Sequence, residues 1–306
     1  MQEYSIDFVK ELLIVGSGTM GWRIGLQGAI SGFEVTLYDL NDTVLESAVG
    51  FQDKTLHRLV KAGIVPMEEV EAIKSRISLT TDIEVAASSA DVVSESVTED
   101  RDLKVKVWEQ LGPLLPEHTV MTTNTSYMLA SWFAEASGAP ERFAAFHFHD
   151  VFKARVVDIM PHPGTAPWIN GLLYDLGLRL NQIPVYLKRE ANGYVFNHML
   201  ASLINSAMTL KVKEVASIED IDRSFMGNFS LKIGPFGMLD DIGLDTVWHV
   251  TKNTGNPALE PLLELLDTYI SAGKLGIKTG EGFYSYPAPA YLQPDFLMGQ
   301  RPDLTI

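Results

Sequence analysis

Hydrophobic and polar positions alternate in short blocks as far as about Glu190. Brief apolar runs of strand length are separated by amphipathic segments, which is the pattern of a parallel β-sheet with crossover helices. The apolar runs predict strands at Leu12–Val15, Val35–Asp39, Ile77–Thr80, Asp91–Ser94, Val120–Thr123, Ala144–His147, Val156–Met160 and Pro184–Lys188. The amphipathic segments predict helices at Gly21–Ser31, Thr43–Ala62, Met67–Arg76, Lys104–Leu111 and Ala166–Leu178. The two helices over about residues 43–76 exceed what one crossover needs, so we expect a helical hairpin that projects from the domain.

After Glu190 the strand pattern stops and the chain reads as helical, with Gly, Pro and Asn between the segments. We therefore expect an α/β domain over residues 1–189 and an all-helical domain over residues 190–306. The tail from Tyr286 is punctuated by Pro287, Pro289 and Pro294 and is expected to be extended surface. The helices predicted in the second domain are Tyr194–Val212, Ile218–Met226, Phe236–Thr251 and Leu259–Ala272.

A glycine-rich turn follows the first predicted strand directly. The segment Gly16-Ser17-Gly18-Thr19-Met20-Gly21 has the spacing G-x-G-x-x-G, and a helical pattern begins at its last glycine. In that context Gly16 permits a tight turn, Gly18 lets the backbone approach a pyrophosphate, and Gly21 allows close packing of helix on strand. The context predicts a Rossmann-type, doubly wound dinucleotide site, and Thr19 and Met20 belong to it. A structural glycine turn is the alternative.

The second predicted strand ends at Asp39, where the acid that binds the adenosine ribose belongs. A carboxylate there accepts both ribose hydroxyls and repels a 2′-phosphate. The next residues, Leu40 and Asn41, offer no arginine to hold such a phosphate. The sequence therefore favours NAD over NADP as cofactor.

Hydride transfer between an alcohol and a ketone needs a group that takes or gives a proton, and histidine suits this near neutral pH. His147 and His149 lie at the end of a predicted strand, where a doubly wound sheet opens on its ligand crevice. Asp158 is an acid within an apolar strand, and a buried acid needs a partner such as an imidazolium. We predict a His–Asp pair; the alternative is two histidines at a strand edge beside a structural aspartate.

Composition excludes several classes of function. The net charge of −15 in 306 residues makes nucleic acid and membrane surfaces poor partners, because both are anionic. The absence of cysteine excludes disulfides, thiolate nucleophiles and cysteine-ligated zinc, and we expect no metal site. We see no leader peptide and no apolar stretch of membrane-spanning length, so we expect a soluble, cytoplasmic protein.

Taken together, the motifs resemble the L-3-hydroxyacyl-CoA dehydrogenase family, which includes 3-hydroxybutyryl-CoA dehydrogenases, lambda-crystallin and diketoreductases. The resemblance covers nearly the whole chain, and its specificity comes from the order of the motifs. They are GSGTMG at 16–21, ESVTED at 95–100, TNTS at 123–126, FHFHD at 146–150, GYVFN at 193–197, GPFGMLDDIGLDT at 234–246 and GKLGIKTGEGFY at 273–284.

The resemblance implies roles for residues at the reacting centre. His147 matches the family's general base, and Asp158 matches the glutamate that orients it. Ser126 and Asn197 match polar residues that hydrogen-bond the substrate and the nicotinamide. The family's second domain is helical and dimerises, which implies a homodimer through the helical domain.

On the cofactor side, the resemblance places Glu99 and Lys104 near the NAD ribose, with Asn124 close by. Lys278, in the last motif, can reach back to the cofactor, although a solvated lysine is the alternative. Asn124, Ser126 and Asn197 have a structural alternative too, since such residues also satisfy turns and helix ends.

The chain departs from the family pattern in three places. Usual members read His-Phe-Phe-Asn-Pro where this chain has Asp150 in place of the asparagine, and Asp158 replaces the longer glutamate. The helical excursion matches the CoA-contacting set only loosely, with Thr55, Arg58 and Lys61 as candidates. Asp150 is a candidate substrate contact.

The leading hypothesis is an NAD-dependent, short-chain 3-hydroxyacyl-CoA dehydrogenase. A second hypothesis keeps the chemistry on a CoA-free 3-hydroxy acid, β-keto ester or diketone. A third, from a different class, is a non-catalytic NAD-binding protein of the crystallin kind; the retained histidine and its acid argue against it.

Overall fold

The computed structural model describes residues 5–299, apart from the side chain of Asn253. The remaining residues of the predicted domain ranges, 1–4 and 300–306, lie outside the described part. Within it the chain forms two compact units that divide between Asn197 and His198, later in the chain than the predicted boundary at Arg189. None of the helices in residues 5–299 combines the length and apolar character that crossing a membrane requires.

In the first unit, one eight-stranded sheet has the order β3-β2-β1-β4-β5-β6-β7-β8. The part 3-2-1-4-5-6 is the doubly wound order of dinucleotide-binding domains, which confirms the predicted fold class. The strands are β1 Glu11–Val15, β2 Glu34–Tyr38, β3 Ile77–Thr80, β4 Val92–Glu95, β5 Val120–Thr123, β6 Phe143–Phe148, β7 Val156–Pro161 and β8 Ile183–Tyr186. The central strands β4, β5 and β6 are buried at every position, as expected for a sheet covered on both faces.

The expectation of a wholly parallel sheet is wrong for its last two strands. β7 pairs antiparallel to β6, and β8 runs parallel to β7. The connection from Phe148 to Val156 is too short for the helical crossover that parallel neighbours need. The chain therefore turns back directly, which puts β7 beside the carboxyl end of β6.

Helices cover both faces of this sheet, and each face has its own apolar core. The helices are α1 Gly21–Ile30, α2 Asp42–Lys61, α3 Val70–Ser75, α4 Ile83–Ala87, α5 Arg101–Leu111 and α6 Pro167–Arg179. The sequence did not predict α4, which is a short helix capped by the Asp82 side chain. Met67–Glu69 is a 3₁₀ turn rather than the start of α3.

The predicted hairpin over residues 43–76 does not stand free of the domain. Leu45, Ala48 and Leu56 of α2 and Ile73 of α3 are buried in the same core as α1. One face of the hairpin is thus part of the unit, and its opposite face is solvent-exposed.

The second unit is all-helical around a separate core. Its helices are α7 Phe196–Val212, which begins at the end of the first unit, α8 Ile218–Phe229, α9 Pro235–Ile242, α10 Leu244–Asn253 and α11 Glu260–Ile270. The helix predicted over Phe236–Thr251 is broken at Gly243, whose φ of +99° cannot belong to a helix.

The prediction of an extended surface tail from Tyr286 is wrong. Tyr291 and Phe296 lie in short 3₁₀ turns, and both side chains are buried in the core of the second unit. Proline spacing therefore marked the turns correctly but gave no sign of the two aromatic side chains that anchor them.

Candidate active site

The glycine turn has the geometry that its spacing predicts. Gly16 has a φ of +91°, and a side chain there would press on the backbone of Ser96 and Val97. A Cβ on Gly21 would collide with the carbonyl oxygen of Gly16, so helix α1 can begin directly against the turn only with glycine. By contrast, Gly18 faces open space. That opening at a helix N-terminus is where a pyrophosphate would approach, so the turn fits a dinucleotide.

A cleft of about 740 Å³ opens beside this turn. Asp39 lies on its wall, and one carboxylate oxygen accepts a hydrogen bond from the Ser17 amide at 2.9 Å. Lys106 is the one cation among the described lining residues, and Leu40 is 83% exposed beside the acid. The predicted cofactor residues that line this cleft are Gly16, Gly18, Thr19, Met20, Asp39, Glu99 and Asn124, together with Ser126.

Lys104 lies beneath the cleft rather than in it. Its side chain is 1% exposed, and its Nζ contacts Glu95 at 2.7 Å, the Val97 carbonyl at 3.2 Å and Glu99 at 3.5 Å. Glu99 in turn accepts hydrogen bonds from the Thr125 hydroxyl and from the Ser126 amide, the latter at 2.9 Å. The buried lysine thus ties together the two loops that follow β4 and β5.

Asn124 connects the cofactor cleft to the end of β6. Its Nδ2 donates to the Ser96 hydroxyl at 3.2 Å, and its Oδ1 accepts from the Phe148 amide at 2.8 Å. Phe148 lies between the two candidate histidines in the chain. The amide of Asn124 therefore fixes where His147 and His149 stand relative to the glycine turn.

His147 and Asp158 are directly opposite each other on β6 and β7. His147 Nδ1 lies 3.2 Å from Asp158 Oδ2, and both residues are almost fully buried, at 4% and 1% exposure. The antiparallel register supplies this contact. The predicted His–Asp pair is therefore present as a pair of buried side chains, although its catalytic role stays a prediction.

His149 reaches the same carboxylate oxygen. Its Nε2 lies 2.8 Å from Asp158 Oδ2, which is closer than the 3.2 Å of His147 Nδ1. The centroids of the two imidazole rings are 4.6 Å apart in an edge-to-face arrangement. Asp158 Oδ1, in contrast, is buried and has no hydrogen-bond partner. The residues alone left both His147 and His149 as candidates for the pair, and the family resemblance named only His147, so a carboxylate shared by both rings was not expected. The spacing of the two histidines, two residues apart and so on one face of a strand, was the available signal.

Burial and hydrogen bonding together set the charge states of His147 and Asp158. Burial lowers the pKa of the His147 imidazole by more than the hydrogen bond to Asp158 raises it. For Asp158, burial raises the pKa, but the hydrogen bonds from His147 and His149 outweigh it and leave the pKa below its usual value. The site thus holds a neutral imidazole beside an ionised carboxylate, which is the state in which His147 can accept a proton.

Tyr194 forms the other wall of the His147 ring. The two rings stack at 4.6 Å with an angle of 17°, and the tyrosine hydroxyl donates to the Thr125 carbonyl at 2.8 Å. Asn197 Nδ2 donates to the Ser126 carbonyl at 3.3 Å, so two predicted site residues do meet. The GYVFN motif was expected to contribute Asn197 to the site, whereas the stacking of Tyr194 on His147 was not predicted.

Asp150 organises the turn between β6 and β7. Oδ1 accepts hydrogen bonds from the amides of Phe152 at 3.0 Å and Lys153 at 2.8 Å, while Oδ2 faces the Arg23 guanidinium at 3.3 Å. Both carboxylate oxygens therefore have protein partners in this structure. The interaction links the turn to the first turn of α1.

Two of the three predicted CoA contacts lie on the outer face of α2. Thr55 is 4% exposed, and its hydroxyl already accepts from Arg58 at 2.9 Å, whereas Arg58 and Lys61 are exposed. A surface cavity of about 660 Å³ lies here. Its lining residues combine a stacked pair of rings with cations, and they are Trp22, Phe51, Asp53, Lys54, Thr55, His57 and Arg58.

Lys278 lies in the second unit, where its Nζ contacts both carboxylate oxygens of Asp245 at 2.6 Å. This ion pair lies against Gly243, at which any Cβ would stand 3.3 Å from the lysine nitrogen. The lysine is thus neutralised within its own unit.

Comparison with known proteins agrees with this geometry. Residues 11–191 match the NAD binding domain of 3-hydroxyacyl-CoA dehydrogenase, and residues 193–286 match the C-terminal domain of the same family. The chain belongs to the 3-hydroxyacyl-CoA dehydrogenase family. It is therefore an oxidoreductase with NAD as cofactor, as the glycine turn and Asp39 predicted.

Individual relatives place the chain within the family. It is 31% identical over 290 residues to the mitochondrial hydroxyacyl-coenzyme A dehydrogenase of Rattus norvegicus, covering 91% of each chain. Among solved structures, a diketoreductase is 32% identical with a TM-score of 0.86, covering 91% of this chain and 99% of its own. The (S)-3-hydroxybutyryl-CoA dehydrogenase of Ralstonia eutropha is 29% identical with a TM-score of 0.83, covering 92% and 100%.

Proposed function

We propose that this dehydrogenase interconverts a short-chain 3-hydroxyacyl-CoA and its 3-oxoacyl-CoA, with His147 as the general base and acid. The observation that carries the proposal is the buried His147–Asp158 pair, joined by Asn124 to the cofactor cleft. Because His147 Nδ1 faces Asp158, Nε2 is left to take the 3-hydroxyl proton. The ionised carboxylate then stabilises the imidazolium that forms. Bound NAD supplies the hydride acceptor.

Other predicted residues have supporting roles in this proposal. Ser126 and Asn197 hydrogen-bond the substrate and the nicotinamide, supported by their contact with each other. Lys104 has a positioning role: its ion pair with Glu99 fixes the carboxylate that accepts the Ser126 amide. Lys278 would have to leave Asp245 to reach the cofactor.

The CoA part of the proposal rests on the exposed face of α2. Lys54, Arg58 and Lys61 give this face positive charge, and Phe51 stacks on Trp22 at 5.8 Å. An aromatic pair beside cations suits an adenine and its phosphates. Thr55 is too buried to contribute its hydroxyl without moving Arg58.

A CoA-free substrate is the second candidate, and the similarity to a diketoreductase favours it. The deciding experiment compares turnover of 3-hydroxybutyryl-CoA, free 3-hydroxybutyrate and a β-keto ester. We expect the CoA ester to be preferred, and Arg58→Ala to raise KM for the ester alone. Equal or better rates on the CoA-free compounds would overturn the CoA assignment. Failure of all three substrates would favour the crystallin-like alternative.

We also propose a homodimer formed through the helical domain. Large apolar side chains are exposed along its helices, including Met199 at 58% and Leu210 on α7, Phe229 at 67% on α8 and Val250 on α10. Contact with a second copy would remove this apolar surface from water. Sedimentation equilibrium of the unaltered chain should give twice the chain mass, and Phe229→Asp should lower the measured mass toward that of the monomer. A monomeric unaltered chain would contradict the proposal.

A further inference from the structure

Three metal-ligating side chains converge at the end of β6. His147, His149 and Asp158 each offer one ligand atom, and these atoms all lie within 4.8 Å of one another. Two imidazoles and a carboxylate are a ligand set that suits zinc and its neighbours in the first transition row. The cluster is the one of its kind among residues 5–299.

The carboxylate at the centre of this cluster is incompletely satisfied. Asp158 is 1% exposed, yet Oδ1 has no hydrogen-bond partner while both imidazoles share Oδ2. A buried oxygen without a partner costs free energy, so the site gains from any group that engages it. A cation held by both carboxylate oxygens, Oδ2 beside the imidazoles and Oδ1 behind it, would be such a group.

The distances are close to those of a coordinated ion. Ligands about 2.0–2.1 Å from a tetrahedral zinc stand roughly 3.3 Å apart. His147 Nδ1 and Asp158 Oδ2 are already 3.2 Å apart, and His149 Nε2 lies 2.8 Å from the same oxygen. The third pair, His147 Nδ1 and His149 Nε2, lies within 4.8 Å, so rotation of the two imidazole side chains would complete the set. The His149 ring is 12% exposed, which gives an ion a way in.

We propose that His147, His149 and Asp158 bind a divalent transition-metal ion of the zinc class, and that the bound ion switches the dehydrogenase off. This assignment replaces the expectation, drawn from the sequence, of a chain without a metal site.

The switch follows from the tautomer of His147. A neutral imidazole carries one proton, and catalysis needs it on Nδ1, facing Asp158, so that Nε2 keeps a lone pair. An ion coordinated at Nδ1 requires the proton on Nε2 instead. The ring can then no longer take the proton of a hydroxyl, so coordination and proton abstraction exclude each other. The inhibition rests on the proposed function, whereas the binding does not.

Binding is tested on the full chain, stripped with a chelator, by calorimetric titration with Zn²⁺ in the absence of substrate and cofactor. We expect one ion per chain. His149→Gln should weaken the affinity at least on the order of 10–100-fold, the usual cost of losing even an outer-shell partner. The matched control is His118→Gln, which alters a histidine paired with Asp91 at 3.0 Å, outside the cluster, and should leave the affinity unchanged.

Equal Zn²⁺ affinity in the two variants, or no saturable binding to the unaltered chain, would overturn the site. If His149→Gln does not fold, an NMR titration of the unaltered chain with Co²⁺ decides between the outcomes. The ring resonances of His147 and His149 should shift, and shifts confined to other histidines would reject the site.

The inhibition is tested separately, by measuring turnover with and without Zn²⁺. Activity that persists in the Zn²⁺-saturated enzyme would refute the switch, and absent turnover in metal-free protein would refute the proposed function instead.

Discussion

Asp158 is shorter by one methylene than the glutamate that the family resemblance places at its position, yet it reaches His147. It does so because the two residues are directly opposite in the antiparallel pair β6–β7, where facing side chains are neighbours. The contact of 3.2 Å is longer than that of Asp158 with His149, at 2.8 Å. His149 therefore helps to hold the Asp158 side chain in place, and the two imidazoles share Oδ2 of that carboxylate.

At this scale the base assignment makes a direct prediction. His147→Gln should lower turnover by about 10²–10⁴-fold, because the variant keeps a polar side chain of similar reach but cannot take the hydroxyl proton. NADH binding, followed by fluorescence, should remain close to that of the unaltered chain, since the cleft is lined by other residues.

His118→Gln serves as the control, because its ring pairs with Asp91 away from the cleft. It should retain turnover near that of the unaltered chain. Full activity in His147→Gln would remove the imidazole from the mechanism. Loss of NADH binding in the same variant would instead indicate a folding defect.

Among the elements, the turn between β6 and β7 decides whether His147 and Asp158 meet. Asp150 closes this turn through two backbone amides and joins it to Arg23 on α1. Asp150→Ala removes both amide contacts and should lower the free energy of unfolding by about 1 kcal/mol, the usual cost of a lost cap. Asp150→Asn keeps an oxygen for the amides and loses only a partly exposed ion pair, so its effect should be smaller.

Urea denaturation of the two variants, followed by tryptophan fluorescence, measures the difference. Equal destabilisation by alanine and asparagine would mean that the charge, rather than the turn, is what Asp150 contributes. No loss of stability in either variant would leave the residue free for the substrate role that the sequence suggested.

The sequence predicted the elements of the α/β domain well, because strand and helix periods are local properties. Strands β3 and β5 have the predicted bounds. The spacing of the glycine turn was enough to predict both the doubly wound fold and a dinucleotide cofactor. The direction of β7 was missed although its signal was present, because the eight residues between the predicted strands ending at His147 and starting at Val156 are too few for a parallel crossover. That direction is also what brings His149 to Asp158, so the second histidine was named but its contact was not predicted.

Tertiary packing overrode local signals in the second unit. The prolines after Tyr286 predicted an exposed segment, but Tyr291 and Phe296 of that segment are buried in the core of the second unit. The predicted helix continued across Gly243, because a single glycine inside a helical pattern does not reveal a φ of +99°. Long-range contacts decided both outcomes, and a single sequence does not display them.

For the molecule as a whole, acidity is the dominant electrostatic property, and two of its acids are buried in the helical unit. Asp222 accepts hydrogen bonds from the amides of Phe236 and Gly237 and from the Tyr284 hydroxyl, and it is fully buried. Asp240, also buried, accepts from the amides of Phe283 and Tyr284. These two carboxylates tie α8, α9 and the C-terminal motif into one core.

This arrangement makes stability depend on pH in a specific direction. Burial, together with the charge of Asp240, raises the pKa of Asp222 to about 6 against the opposing effect of its three hydrogen bonds. Since the folded pKa lies above the unfolded one, the folded chain keeps its proton longer. Stability from this group is complete below about pH 4 and is lost as pH rises to about 6. The loss amounts to roughly 3 kcal/mol at most.

Asp222→Asn isolates the effect, because the amide does not titrate, although it loses a hydrogen bond at every pH. The free energy of unfolding of the unaltered chain, minus that of Asp222→Asn, should therefore be larger at pH 4.5 than at pH 7.5. Denaturant titrations of both proteins at both values measure it. A difference that stays constant would mean that Asp222 is ionised throughout, and that its three donors outweigh its burial.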